Sequence, residues 1–490
     1  MTDNSTRSRG LEPVSRPDFD SDADSDLAFA PLINSGREIQ VVELSKSGYD
    51  PRLWLRPPNS APVRVHNEKD LLFSRSLSEW RKFLFAAFLP VDFPNSVSED
   101  YLAYQAYDSL QAFFSTITSI LSSRALLEGL GVGDANSSAT LAMLLTILRD
   151  AISHVATIIF AHRFGLHIEP EAKRYRFLAD LFNDTAFFLE LWSPYLGFWG
   201  KGFALCIGEA LRAMCGVAAG ASKAALSLHF AKSDNLSELS AKEASQETAV
   251  SLIGLAIGTI VVRLVEDQRA VITLVVLLVL AHLWTNYHGV RSVHMDSFNK
   301  QRASILYSIY KESSVVPSPK QVALKERILT WDGIIRNARN EPVFRIDFAK
   351  SFGDAMSADG TGDEIVAVDG LMHTRFIRPY APGQLGKIKI LLWERAEAKH
   401  ALLAWFMAMD TAWVANNDTP YGDAKSNDLD KPQAVDVDER AGNTDRPGPR
   451  AFDDLLWDNL PRCGWDLDMA VMEGGEGVRL DVRASKHKTE

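Results

Sequence analysis

From Phe88 to Thr248, and on to Tyr287, the chain is dominated by apolar and small residues, and the polar positions inside that stretch recur at helical spacing. Within Lys173 to Pro194, the residues Lys173, Arg176, Asp180, Asn183 and Glu190 follow one another at steps of three, four, three and seven. Such steps place them on one face of an α-helix. Phe177, Leu178, Leu181, Phe182, Ala186 and Leu189 cover much of the rest. Charged residues are seldom fully buried, so a solvated face is the ordinary reading of such a seam. Here the flanking segments, 138 to 162 and 196 to 230, are almost wholly apolar or small. The seam is therefore expected to face protein or a cavity.

The same pattern predicts the neighbouring elements. Ser96 and Glu99 have capping-box spacing, which predicts a helix from there to about Leu127. Asp100, Tyr104, Asp108 and Gln111 fall on one side of it. The glycines at 129, 131 and 133 end it; they lack the strand and the GxGxxG order of a dinucleotide site. Ala139 to Ala161 is apolar except for Arg149, Asp150 and His154. Phe198 to Phe230 is rich in small residues, with Gly216 and Gly220 as a GxxxG pair that lets helix backbones approach. After a polar interlude come Thr248 to Val265 and Ala270 to Tyr287, the most lipid-like runs, with a second GxxxG at Gly254 and Gly258. At 1.5 Å per residue, 18 residues span about 27 Å, marginal for a hydrocarbon core of roughly 30 Å. A membrane hairpin over 248–287 is the preferred reading, and a buried helical hairpin the other. Arg149-Asp150 and Lys242-Glu243 each precede an apolar run, a faint echo of the repeats from which transporters are built.

The first 65 residues are acidic and serine-rich and read as a disordered tail, with short β-like pieces at Ile39 to Leu44 and Arg52 to Leu55. They lack the apolar core of a secretory signal, and they are too acidic for a mitochondrial transit peptide. The helical domain is assigned to 66–298. A small α+β domain follows over 299–490, with strands at Val343 to Asp347 and Lys387 to Trp393, and a helix from Glu394 to Ala415. Residues 416–450 read as a disordered loop, and Met469 to Met472 with Val478 to Val482 as a hairpin. The fold class is thus mainly α: a multi-helix, membrane-embedded domain followed by a small α+β domain.

The net charge of −11 argues against a nucleic-acid partner. The three cysteines, Cys206, Cys215 and Cys463, are too few and scattered for a disulfide framework or a metal site. No catalytic motif, cofactor signature or metal spacing is legible, so a non-enzymatic protein without cofactor is expected.

Several runs in order resemble a known family: FLP..FP.SV..DYL.YQ..DSLQAF, GVGDA, K..R..AD..ND...LEL.SP and NL.E..AKE.SQET. They look like the root UV-B sensitive family, a domain of unknown function. The resemblance covers about Leu71 to Met295, with a looser match at HALLAWF and Gly464-Trp465. The chain departs from the family's pattern at Asp92, Phe93, Tyr107 and Tyr175, and at 149–153. The resemblance implies a membrane-associated protein, here a fungal member, with no established enzymatic activity.

Three readings follow. The first is a multi-pass protein of an intracellular membrane that binds or organises partners: the lipid bilayer, another member of the family, or a second copy through the GxxxG faces. The second is a small-molecule or ion transporter whose polar path is lined by Asp150, Lys173, Arg176, Asp180, Asn183, Asp184, Glu190, Lys242 and Gln246. Buried ionisable residues in apolar helices are candidates for function, although a structural ion-pair network explains any one of them as well. The third is a soluble helical scaffold or enzyme.

Overall fold

A computed structural model describes residues 39–43, 52–56, 63–64, 80, 83–129, 139–265, 267–336, 341–356, 366–369, 372–378, 385–417, 454–469, 472–475 and 477–481. The expected glycine turn at 131–133, the loop at 418–450 and most of the N-terminal tail lie outside the described residues. The chain divides into two compact units, 1–86 with 91–93, and 87–90 with 94–490.

In the first unit, β1 (Ile39–Glu43), β2 (Arg52–Arg56) and β3 (Val63–Arg64) form an antiparallel sheet in that order. Trp54 pairs with Val41 on one side and Arg64 on the other. Part of the expected tail is thus a sheet. The β-branched residues of IQVVE and the tryptophan of RLWLR suit extended, paired backbone.

The second unit begins with six long helices among the described residues: α1 (Tyr101–Gly129), α2 (Ala139–Ile168), α3 (Ala172–Trp192), α4 (Phe198–Phe230), α5 (Leu236–Leu264) and α6 (Gln268–Ser292). The predicted capping box does not form. Ser96 is buried with an unpartnered hydroxyl, and α1 starts five residues later. The segment is held instead by backbone bonds from Ser98 N to Phe230 O and from Lys232 N to Ser96 O.

The six helices form an up-and-down bundle. Asp108, Gln111 and Ser122 of α1 meet Arg176, Asp180 and Glu190 of α3 in the same order, so these helices run parallel. Gly254 and Gly258 of α5 lie against Thr116 and Ile120 of α1, again parallel. Arg176 and Asp184 meet Asn286 and His282 of α6 in the reverse order, so α6 runs against them. The α1 N-terminus and the α6 C-terminus share one end of the bundle.

The two GxxxG pairs differ. A Cβ on Gly258 would lie 2.5 Å from Ile120 Cδ1, and one on Gly254 3.1 Å from Thr116 Cβ, so both glycines are used for close packing. Gly216 and Gly220 have nothing within 4 Å of such a Cβ. Four helices, Thr140–Ile168, Trp199–Phe230, Leu236–Leu264 and Gln268–Ser292, are long and apolar enough to cross a membrane. That adds two to the hairpin expected from sequence.

The mixed domain follows: α7 (Lys300–Ser313), α8 (Pro319–Lys325), β4 (Ile334–Arg336), β5 (Pro342–Phe348), α9 (Phe352–Met356), β6 (Val366–Asp369), β7 (His373–Arg378), β8 (Gly386–Trp393), α10 (Ala398–Asn417), α11 (Asp454–Arg462) and β9 (Arg479–Leu480). Its sheet has the order β4-β5-β8-β7-β6, with β5 and β8 parallel. Trp405, Phe406, Leu402, Tyr307 and Ile388 are buried where α10 and α7 meet this sheet. The predicted terminal hairpin is corrected at its second strand: β9 pairs in parallel with the end of β8, while residues 470–471 of the expected partner strand lie outside the described residues. A hairpin would pair neighbours in sequence, whereas this partner strand is almost ninety residues away.

Candidate functional site

The amphipathic pattern of α3 is satisfied in an unusual sense. Its buried residues include Lys173, Arg176, Asp180, Asp184 and Glu190, while Leu181 and Trp192 are exposed. Charges in a low-dielectric interior persist only when paired and hydrogen-bonded, and the surrounding helices supply the partners.

The centre of the seam is Arg176. Its guanidinium donates to Asp108 Oδ1 at 2.6 Å and to the Tyr104 hydroxyl at 3.2 Å, both on α1. It also lies 3.7 Å from Asp180 Oδ1, one turn along its own helix. Asp180 Oδ2 accepts from Gln111 Nε2 and from Asn286 Nδ2. His282 of α6 stands between two carboxylates: its Nδ1 is 2.9 Å from Asp184 Oδ2 and its Nε2 3.8 Å from Asp180 Oδ2. Asp184 Oδ1 is buried and has no partner.

Two turns further on, Glu190 accepts from Arg212 Nε at 2.9 Å, from Arg212 Nη2 at 2.5 Å and from Ser122 Oγ at 2.8 Å. Arg212 also lies over the Phe187 ring at 4.9 Å. Beside this, Arg149 of α2 donates to Glu209 of α4 at 2.6 Å. At the opposite end of α3, Lys173 pairs with Glu326 of the mixed domain, which also accepts from Arg302 Nε at 3.1 Å. Burial raises the Glu326 carboxyl, but the Lys173 and Arg302 charges outweigh burial and hold it down at about 2. From Lys173 to Glu190 the seam rises about 25 Å at 1.5 Å per residue.

The candidate residues divide accordingly. Lys173, Arg176, Asp180, Asp184 and Glu190 line the bundle interior or its lower end. Asn183 is half-buried on the neighbouring flank. Asp150 is corrected: it is exposed, and Arg149 is the buried member of that pair. Lys242 is half-buried, and Glu243 beside it is the buried residue, accepting from Ser227 Oγ at 2.8 Å. Gln246 lies at the lower end of the bundle and donates to Phe88 O and, at 3.5 Å, to the Tyr101 hydroxyl.

Sequence reasoning noted Tyr104, Asp108 and Gln111 as one face but did not connect them to α3. It missed His282, Asn286, Ser122, Arg212 and Glu243. For α6 a signal existed: His282, Thr285, Asn286 and Gly289 mark one helical face in an otherwise apolar run, and the first three are fully buried. Counting charges alone overlooked them.

A six-helix bundle with apolar outer faces and an ion-paired interior defines a helical protein whose hydrophobic pattern is compatible with a membrane. Residues 74–314 match the family described as the Vitamin B6 photo-protection and homoeostasis domain. The chain is 39% identical over 247 residues to "RUS family member 1" of Dictyostelium discoideum, covering 49% of this chain and 47% of that protein. It is 35% identical over 270 residues to "Protein root UVB sensitive 3" of Arabidopsis thaliana, covering 54% of this chain and 60% of that protein. "Protein root UVB sensitive 2, chloroplastic" of Arabidopsis thaliana is 29% identical over 264 residues, 53% of this chain and 59% of that protein. Residues 74–314 thus carry the domain of the root UV-B sensitive family. The matched part spans about half to three-fifths of the length of these relatives. No solved structure matches the chain.

Proposed function

We propose that this chain is a multi-pass protein of an intracellular membrane, and that its bundle passes a small polar solute along the seam. The observation that carries this reading is the ladder of buried polar side chains from Lys173 to Glu190, inside helices whose outer faces are apolar. Replacing buried ion pairs with well-packed apolar residues is often neutral or stabilising, so a retained ladder of them supports a role beyond packing. Met143, Ile158, Leu252 and Leu280 point outward and suit a hydrocarbon surrounding. Exposed Trp192, Tyr195 and Trp199 cluster at the corner between α3 and α4, as interfacial aromatics do. Lys242, Arg291, Lys300 and Arg302 lie toward the mixed-domain end, and the positive-inside tendency supports a cytosolic side for that end. The family's description suggests a vitamin B6 compound as the first solute to try. The reading includes no enzymatic step and no cofactor.

A second reading is an organiser of partners. The open face at Gly216 and Gly220 favours it, since a second copy or another family member could seat there.

The test is purified full-length protein in liposomes. The transport reading predicts uptake of labelled pyridoxine or pyridoxal above that of empty liposomes, reduced at least tenfold by Asp180→Asn. Uptake equal to empty liposomes for both compounds, with a stable complex recovered on crosslinking through Gly216→Cys, would favour the organiser instead. Release of the chain from membranes by alkaline carbonate would remove both.

A further inference from the structure

The seam's charges do not balance at its centre. Asp108, Asp180 and Asp184 are all at least nine-tenths buried. Facing them are one guanidinium, Arg176, and one imidazole, His282. Even with the imidazole charged, three carboxylates meet two cations. Of the other charged groups along the seam, Arg212 pairs with Glu190 and Arg149 with Glu209, while at the mixed-domain end Lys173 and Arg302 share Glu326. From α5 comes no relief, because Glu243 adds a further buried carboxylate with Oε1 unpartnered, and the nearby Lys223 pairs with Glu247 at 2.6 Å. From α4, Cys215 is the remaining titratable group in electrostatic reach of Asp180 and Asp184. An unmatched negative charge in a low-dielectric interior is strongly unfavourable.

A second observation identifies where the missing cation goes. Asp180 Oδ2 is occupied by the amides of Gln111 and Asn286. Asp184 Oδ1, by contrast, belongs to a residue 2% exposed and has no hydrogen-bond partner. Gln105, one turn below Asp108 on the buried face of α1, is 4% exposed and has both amide atoms unpartnered. Among the described residues no group of three His, Cys, Asp or Glu side chains is placed to hold a metal ion. A proton needs no such coordination sphere.

We infer that the Asp184–His282–Asp180 cluster binds one exchangeable proton, and that this proton is the coupling ion for the solute proposed above. On loading, the proton adds to the cluster and cancels its excess negative charge, with Asp184 Oδ1 as its entry atom and His282 bridging it to Asp180. On release it leaves by the same atom and restores the carboxylate. A charge-balanced cluster can move through a low-dielectric surrounding at far lower cost than an unbalanced one, so rearrangement of the bundle is tied to occupancy. The inference rests on the transport reading for its coupling, although the proton site itself can be read without any solute.

The experiment has two arms, both on the full chain in liposomes. In the first, infrared spectra at about pH 7 are compared between the wild type and Asp184→Asn. A protonated-carboxyl stretching band that is present in the wild type and lost in the variant is expected. Its absence from the wild type, or its persistence in both, overturns the inference. In the second, pyridoxine uptake is followed with the membrane potential clamped and a gradient of about tenfold in protons, or in sodium, imposed. Uptake stimulated severalfold by the proton gradient alone, with the stimulation lost in His282→Gln and in Asp184→Asn, is expected. Uptake indifferent to the proton gradient, or stimulated by sodium, overturns the coupling but leaves the transport reading standing. Absence of uptake under every gradient sinks the transport reading and the coupling with it, and the infrared arm then decides the proton site alone.

Discussion

The helical bundle and the mixed domain solve the same problem in opposite senses. In the mixed domain Trp405, Phe406 and Leu402 are fully buried, and the sheet sets Lys387 outward and Ile388 and Ile390 inward. In the bundle, α6 buries His282, Thr285 and Asn286 while Leu277, Leu280 and Trp284 are each nearly 60% exposed. One chain thus contains a region with an apolar core and a region that buries polar side chains while several large apolar ones face outward. Apolar burial is the driving force of the first. In the second, ion pairs and small-residue contacts join the helices beside apolar clusters such as Ile117, Leu121, Val275 and Val279. Where the regions meet, Lys173, Glu326 and Arg302 join them by a buried charged triad, and Phe298 stacks on Trp465 at 4.4 Å between centroids.

The sharpest way to break the contrast is to remove a cation from the bundle. Arg176→Met leaves Asp108 and Asp180 without their charged partner and is expected to cost about 3–5 kcal/mol. Thermal unfolding in detergent measures it, and a loss below about 1 kcal/mol would mean that the seam is hydrated. The counterpart in the mixed domain is Trp405→Ala, with about 3–5 kcal/mol expected from lost burial and a cavity. It is expected to lower the unfolding of that domain and leave the bundle's helical signal in place.

A smaller effect is the pH dependence that the mixed domain contributes. Burial holds the His373 imidazole down at about 4, against 6.5 unfolded. As the pH falls from 6.5 toward 4 the unfolded chain takes up a proton that the folded chain refuses, so stability drops, by on the order of 2 kcal/mol. His373→Gln should flatten that part of the profile. Below it, the Glu326 carboxyl, at 4.5 unfolded and about 2 folded, contributes stability that is present above 4.5 and lost as the pH falls to 2. A flat unfolding profile from 6.5 to 4 in the wild type would count against the buried His373.

The smallest effects separate the two glycine pairs. Gly258→Ala drives a methyl against Ile120 and should cost about 1–3 kcal/mol. Gly216→Ala meets open space inside a helix and should be neutral to stabilising by up to about 1 kcal/mol in the monomer. Equal losses at both would show that α4 is covered as tightly as α5.

Much of the bundle's polar seam was legible because charge at helical spacing is a local signal. The steps from Lys173 to Glu190 fix the face of α3 whatever covers it. The partners were less legible, since Asp108, Arg212 and His282 come from three other helices and their pairing depends on how those helices rotate. Asp150 and Arg149 show how fine the margin is: adjacent residues lie about 100° apart around a helix, so a seam assigned to one belongs to the other. The β5–β8 pair was visible as two apolar runs, but β9 was not, because a parallel partner distant in sequence leaves no mark on its neighbours. Ser96 misled because its capping spacing is real while the segment is claimed by α4 through the backbone.

The most direct measurement is spin-label accessibility along α6, in a background with Cys206, Cys215 and Cys463 replaced. Single cysteines replace Leu277 and Leu280 on the outer face, or Val279 on the inner one. The account predicts that labels at Leu277 and Leu280 collide readily with lipid-dissolved oxygen and hardly with a water-soluble nickel chelate, and that the label at Val279 meets neither. Free collision of the nickel chelate with the Leu277 and Leu280 labels would contradict it, because the apolar face would then be facing water.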